Sequence, residues 1–263
     1  MGNMINVMVS SAKSDFLSKF AMVSPQLRLL VIMLTNLFSM AFFFLLASYV
    51  GNPDAAEYVI IGNVVQSVAT STLYSTSNVS RTEKHTGTLE PILSSPAKLF
   101  HVFLGKSAFG ITTGFVSVIV SLSYAAFIFG VDFGSASLVS IAVISVLTCL
   151  SLAGMGLAIG GIGIYLRTAS ILASFFGYIG LLLCGVNFPI SYLPEWLQIF
   201  SYGMPLTYAV EATRMAVDGA TLSMMVDPLM IMTLLGGLYL IMAWFMFRFF
   251  ENISRRNGKT DSF

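Results

Sequence analysis

Charge is scarce in this chain: Asp, Glu, Lys and Arg make up 10% of its 263 residues, against about 25% in an average soluble domain. The few charges are clustered, so long stretches carry none. A water-soluble globular domain and a disordered chain are both excluded on that ground. The net charge of +1 offers no basic patch from which counterions could be released, so no nucleic-acid partner is expected. Cysteine is nearly absent. Cys149 and Cys184 both sit in apolar runs and read as small buried hydrophobes, with neither a disulfide framework nor zinc-ligand spacing. The two histidines, His85 and His101, share one loop, no H-E-x-x-H occurs, and no metal is expected. There is no G-x-S-x-G elbow. A phosphate-cradling loop is also missing: Gly105-Lys106-Ser107 mimics its end, but Phe100 stands where the first glycine is required. Neither an enzyme nor a cofactor held by this chain is expected. With 56% apolar residues, the remaining class is an all-α polytopic membrane protein.

A spanning helix needs about 20 mostly apolar residues. Six runs free of Asp, Glu, Lys and Arg meet that need: Leu29–Val50, Tyr58–Ser80, Ser107–Val131, Phe133–Leu166, Thr168–Pro194 and Pro228–Phe247. The fourth is long enough to include some loop. Trp196–Val210 is too short to cross, is broken by Gly203 and Pro205, and reads as a re-entrant outer hairpin between spans five and six, within residues 188–227. Ser24-Pro25, Ser95-Pro96 and Asp227-Pro228 each set an N-cap residue before a proline at the first helical position. Asn52-Pro53-Asp54 reads as a tight turn. Residues 1–263 form one transmembrane domain on this reading.

Six spans put both termini on one side. With the N-terminus inside, 12 of the 13 basic residues fall in inside segments and only Arg214 falls outside. The positive-inside rule then makes the termini and the loop 81–106 cytoplasmic. No cleavable signal peptide is expected, because no basic region leads directly into an apolar core with a cleavage site. Residues 1–28 instead contain an amphipathic stripe, Ile5, Val9, Ala12, Phe16, Phe20 and Val23, with Lys13 and Lys19 off it. That pattern suits either a helix lying in the cytoplasmic interface or one packed on another subunit.

Within the second run, Asn63, Gln66, Thr70 and Tyr74 recur on one helical face, with Ser67, Ser71, Ser75 and Asn78 alongside. Lipid cannot satisfy these groups, so they face protein or a wet cavity. Interhelical hydrogen bonding and a substrate path are both open. The fourth run carries Gly154, Gly156, Gly160, Gly161 and Gly163, which permit close helix approach within one subunit or between two. No span carries a charge well inside it, which argues against a proton-coupled carrier.

The loop between the second and third runs reads Arg81-Thr-Glu83-Lys84-His-Thr-Gly87-Thr88-Leu89-Glu90-Pro91-Ile-Leu93-Ser-Ser95-Pro96 and closes on Gly105-Lys106. Ser80 and Glu83 have capping-box spacing. Thr88–Ser94 is expected to form one or two helical turns, bounded by Gly87 and Ser95-Pro96. A second segment contains Phe188-Pro189, Leu193-Pro194-Glu195-Trp196-Leu197, Pro205-Leu206-Thr207-Tyr208, Glu211 and Arg214.

Both segments, in this order and on a six-span layout, resemble the permease subunits of type-2 ABC transporters. The resemblance runs over essentially the whole chain, although Lys84-His85 makes the loop more basic than is usual there. It implies a homodimer of permeases, with the first and fifth spans as contacts, and two copies of a separate ATP-binding subunit that carries ATP and Mg. It assigns ATPase coupling to Glu83, Gly87, Thr88, Leu89 and Glu90 in and just before the loop's short helix, and closure of the outer gate to the hairpin with Pro189, Pro194, Trp196, Pro205, Glu211 and Arg214. The substrate path would run along Asn63, Gln66, Thr70 and Tyr74 at the dimer axis. The implied function is ATP-driven export of an amphiphilic drug, lipid or glycolipid across a prokaryotic plasma or inner membrane, with polysaccharide export as the alternative. A channel or carrier without an ATPase, and an intramembrane enzyme, are the other classes considered. The enzyme is weakened by the lack of a paired nucleophile and base.

Overall fold

The computed structural model describes residues 2–49, 53–95, 97–134, 136–166 and 169–257. The described residues form helices joined by short connections, with no strand among them: α1 (Gly2–Met22), α2 (Pro25–Tyr49), α3 (Pro53–Ser77), α4 (Val79–His85), α5 (Leu89–Ser94), α6 (Leu99–Phe127), α7 (Leu138–Leu166), α8 (Ala169–Leu183), α9 (Glu195–Tyr202), α10 (Pro205–Val217) and α11 (Val226–Asn257). Each of the six apolar runs contains the body of one helix: α2, α3, α6, α7, α8 and α11. Four of these, α2, α6, α7 and α11, are long and apolar enough to cross a membrane. Helix α3 has the length but is rich in hydroxyl and amide side chains, and α8 is short.

The bundle is built around α3 and α7. Residues 59–69 of α3 and 151–161 of α7 are buried almost without interruption, as expected of helices enclosed on every side. This explains why α3 tolerates its polar content: its partners are other helices, not lipid. Close approach is set by glycine. A Cβ on Gly156 would sit 1.9 Å from Thr76 Oγ1, and one on Gly154 would sit 2.8 Å from the Gly236 carbonyl. The small residues of α7 therefore seat α3 and α11 within the chain. Cys149 and Cys184 are buried free thiols, as the apolar context predicts.

The structure corrects several boundaries. The fifth run was expected to continue to Pro194, but α8 stops at Leu183, where Gly185 adopts φ +73° and turns the chain. Helix α6 begins at Leu99, eight residues before its apolar run, with Lys98 at the N-cap, so the proline of Ser95-Pro96 is not its first residue. Helix α11 begins at Val226, which places Asp227 in its first turn instead of at the cap. Ser80 and Glu83 do not form a capping box: Asn78 is the N-cap of α4, and the Ser80 hydroxyl donates to the Gly160 carbonyl at 3.0 Å. A long-range partner outcompetes the local one because α4 packs directly on α7. In the expected turn 52–54, Pro53 already belongs to α3. Asn52, Pro96, Arg167 and Lys259 lie outside the described residues.

Helix α1 packs on α6 instead of lying free. Gly105 permits the crossing, since a Cβ there would meet the Met8 carbonyl at 2.3 Å. Asp15 is 2% exposed and pairs with Lys19 at 2.7 Å. Burial raises the Asp15 carboxyl above its ordinary range and lowers the Lys19 ammonium, although each charge partly offsets the other's shift. Ile5, Val9, Phe20 and Val23 of the amphipathic stripe remain exposed, while Phe16 folds edge-on against Phe109.

Candidate functional site

The α3 face singled out by its spacing opens on a cavity of about 260 Å³ between α2, α3 and α8. All four sequence-selected residues, Asn63, Gln66, Thr70 and Tyr74, line it. The structure adds Asn36 and Ser39 from α2, and Ser174, Gly177 and Tyr178 from α8. None of its lining residues is charged. Asn36, Asn63, Gln66 and Ser67 are buried and form the floor, whereas Thr70, Tyr74 and Tyr178 are exposed at the mouth.

The floor is ordered by hydrogen bonds. Asn63 Nδ2 donates to the Val59 carbonyl at 2.9 Å and to Asn187 Oδ1 at 3.0 Å. Gln66 Nε2 donates to the Gly177 carbonyl at 3.0 Å, which ties α3 to α8. Asn36 Nδ2 donates to Ser117 Oγ at 2.8 Å, which ties α2 to α6. At the mouth, Ser174 donates to the Ser170 carbonyl at 2.9 Å and pairs with the Tyr74 hydroxyl at 2.6 Å. Asn187, which the periodicity did not select, lies in the turn after α8. Phe188-Pro189 follows it directly in the sequence.

At one end of α3 the chain continues through Asn78 into α4 and then α5. Glu83 is the hub. Its Oε1 meets Lys106 Nζ at 2.5 Å, and its Oε2 accepts the Thr88 hydroxyl at 2.6 Å. Glu83 is 5% and Lys106 8% exposed. Thr88 is the N-cap of α5, and Gly87 before it takes φ +69°, a conformation that glycine adopts without strain. Leu89 packs, half-buried, on the cluster of Leu99, Phe103 and Phe247. Glu90 lies within α5, and its side chain is outside the described residues. Three of the loop residues selected from the sequence, Glu83, Gly87 and Thr88, thus form one ordered unit with Lys106. Lys106 was visible only as half of the Gly-Lys that closes the loop. Below this unit a second cavity, of about 700 Å³, separates α1 from the loop.

At the other end, α9 and α10 meet at Gly203-Met204, so the short apolar run is broken where Gly203 and Pro205 predicted. Pro194 holds the N-cap of α9 and Pro205 the first position of α10. Pro189 precedes a single 3-10 turn at Ile190–Tyr192. Trp196 and Glu211 are exposed. Arg214 turns inward: its guanidinium reaches the carbonyls of Tyr58 (3.2 Å), Gly185 (2.8 Å) and Val186 (3.1 Å), with its carbon 3.4 Å from the Tyr58 ring centroid. It thereby pins the turn after α8 to the start of α3. Gly62 makes room for that turn, because a Cβ there would lie 2.0 Å from the Val186 carbonyl.

Among the described residues no group of His, Cys, Asp and Glu could hold a metal ion. The family model described as ABC-2 type transporter matches residues 55–217, a stretch that runs from the start of α3 to the end of α10. Over 166 residues the chain is 25% identical to a protein named probable multidrug ABC transporter permease YbhR from Escherichia coli K12, and equally to its counterpart in strain O157:H7. That alignment covers 63% of this chain and 45% of those relatives, so the chain matches less than half of their length.

Proposed function

From the premise that this chain belongs to the ABC-2 type transporter family, as a membrane permease subunit and not an enzyme, we propose that it exports an amphiphilic substrate with energy from a separate ATP-binding subunit. The observation that carries the proposal is the uncharged polar cavity of α2, α3 and α8. An apolar bilayer offers no reason to keep amides and hydroxyls at a helix surface unless they bind protein, water or cargo. Asn63, Gln66, Thr70 and Tyr74 hold the polar part of the substrate on this reading. The multidrug designation of the relatives supports a drug or lipid cargo; polysaccharide remains the second class.

Coupling follows the chain. The ATP-binding subunit, present in two copies, engages α5 around Glu90. Movement of α5 reaches the cavity by two routes: through α4 into α3, and through Thr88, Glu83 and Lys106 into α6. Two permease copies, both with cytoplasmic termini in a prokaryotic plasma or inner membrane, complete the assembly. The α9–α10 hairpin, pinned by Arg214, closes the outer end.

The test is Gln66→Leu in a reconstituted complex with the ATP-binding subunit. The variant should assemble and show an altered profile of substrate-stimulated ATP hydrolysis. Stimulation at the parental level by every compound, in a well-assembled variant, would overturn the assignment of this face.

A further inference from the structure

The cavity's hydrogen-bonding balance restricts what it can hold. Both amide nitrogens on α3 have protein partners: Asn63 Nδ2 gives its two hydrogens to Val59 and Asn187, and Gln66 Nε2 gives one of its two to the Gly177 carbonyl. These bonds also set the amide orientations. Flipping Gln66 would place its oxygen against the Gly177 carbonyl, and flipping Asn63 would do the same at Val59. The atoms of these amides with no partner at all are therefore both carbonyl oxygens. Asn63 Oδ1 and Gln66 Oε1 are buried without a hydrogen-bond partner, on residues 2% and 5% exposed.

The hydroxyls tell the same story. Ser67 donates to Val64, Thr70 to Gln66 and Ser67, and Ser174 to Ser170, all main-chain carbonyls. Because Ser174 has spent its hydrogen, the Tyr74 hydroxyl must be the donor in the bond between them. The α3 amides thus keep two acceptors with no partner, against one remaining amide hydrogen, on Gln66. No charged side chain lines the space, so a full charge of either sign would be desolvated there without a counter-ion. The volume, about 260 Å³, falls just below the range of whole drug-sized pockets, about 300–1,000 Å³, and suits one headgroup.

We propose that the cavity selects an uncharged amphiphile whose headgroup donates hydrogen bonds through hydroxyl or amide N–H groups, received by Asn63 and Gln66, and that it discriminates against phosphate, sulfate and carboxylate headgroups. This deepens the proposed export function and rests on the cavity being its substrate site.

The experiment uses three probes with one tail: dodecyl maltoside, dodecyl sulfate and dodecyltrimethylammonium, which differ as uncharged donor, anion and donor-free cation. Each is titrated below solubilising levels into the full-length permease in lipid nanodiscs, and thermal stabilisation is read. The maltoside should stabilise the parent at concentrations at least about tenfold below the other two. Gln66→Met, close in volume but without an acceptor, should shift that midpoint about tenfold upward, the scale of one lost hydrogen bond in a dry site. Asn63→Asp provides a second variant that keeps an acceptor oxygen and adds a negative charge; it should gain response to the cation. Equal or stronger stabilisation by the sulfate, or no response to the maltoside, would overturn the headgroup assignment. Normal maltoside binding in well-folded Gln66→Met would overturn it as well. The substrate-site reading fails separately, if Gln66-dependent binding leaves ATP hydrolysis by the assembled complex unchanged.

Discussion

The contact between Glu83 and Lys106 allows a prediction with a sign for every variant. Lys106→Met removes the cation that meets Glu83 Oε1 at 2.5 Å and leaves a carboxylate that is 5% exposed and accepts from the Thr88 hydroxyl. Removing one partner of a buried ion pair costs about 3–5 kcal/mol, because the survivor stays desolvated and uncompensated. Glu83→Met should cost less. The Thr88 hydroxyl can still donate to the main-chain carbonyl of residue 83, at 3.3 Å, and the long lysine chain can carry its ammonium toward the neighbouring cavity. The double variant Glu83→Met/Lys106→Met should lie within about 1 kcal/mol of the parent, since apolar side chains of similar size often replace a buried pair without loss. The cycle then yields a coupling near 3 kcal/mol, at the upper end for residues in contact. With about 2–4 °C of melting temperature per kcal/mol at this chain length, Lys106→Met should melt roughly 10 °C below the parent, by tryptophan fluorescence in detergent. The double variant should also lose coupling between ATP hydrolysis and transport, because α5 no longer holds α6. A Lys106→Met melting point within 2 °C of the parent, or a double variant as unstable as the sum of its singles, would refute the ion-pair argument.

Other expectations follow from the same geometry. Single cysteines at exposed positions 98 and 218, in a background lacking the two buried native thiols, should label oppositely with an impermeant reagent in intact cells: 218 reacts and 98 does not, and the reverse would invert the topology. Gly156→Ala forces a Cβ to 1.9 Å from Thr76 Oγ1 and should cost about 1–3 kcal/mol as overpacking. Gly237→Ala, with nothing within 4 Å, should be neutral or slightly stabilising by helix propensity, and equal melting shifts for the two would contradict the packing. Arg214→Lys should destabilise by at least about 2 kcal/mol despite the retained charge: the lysine nitrogen sits one bond closer to the backbone than the Nη2 that meets the carbonyls of Tyr58, Gly185 and Val186, and an ammonium has no plane to stack on the Tyr58 ring. Limited proteolysis near Gly185–Pro189 would report the freed turn, and parental resistance would show that Arg214 does not hold it.

The sequence by itself determined the class, the helical architecture and the polar face of α3. Charge scarcity and apolar run length follow from the bilayer as solvent and need no tertiary information. The face Asn63, Gln66, Thr70 and Tyr74 was legible because helical periodicity is local, and the break at Gly203 and Pro205 because those residues act on their own backbone. The structure alone decided which groups are spent and which are free. Ser80 and Glu83 had the spacing of a cap, yet Gly160 and Lys106 took them, since a partner brought by packing outcompetes one brought by sequence. The end of α8 at Leu183 was hidden in an unbroken apolar run, because composition does not record the left-handed turn at Gly185. The two unpartnered oxygens in the cavity could not be foreseen at all. They are what remains after the Gly177 carbonyl orients Gln66, and Val59 and Asn187 orient Asn63, and only folding brings Gly177 and Asn187 to α3.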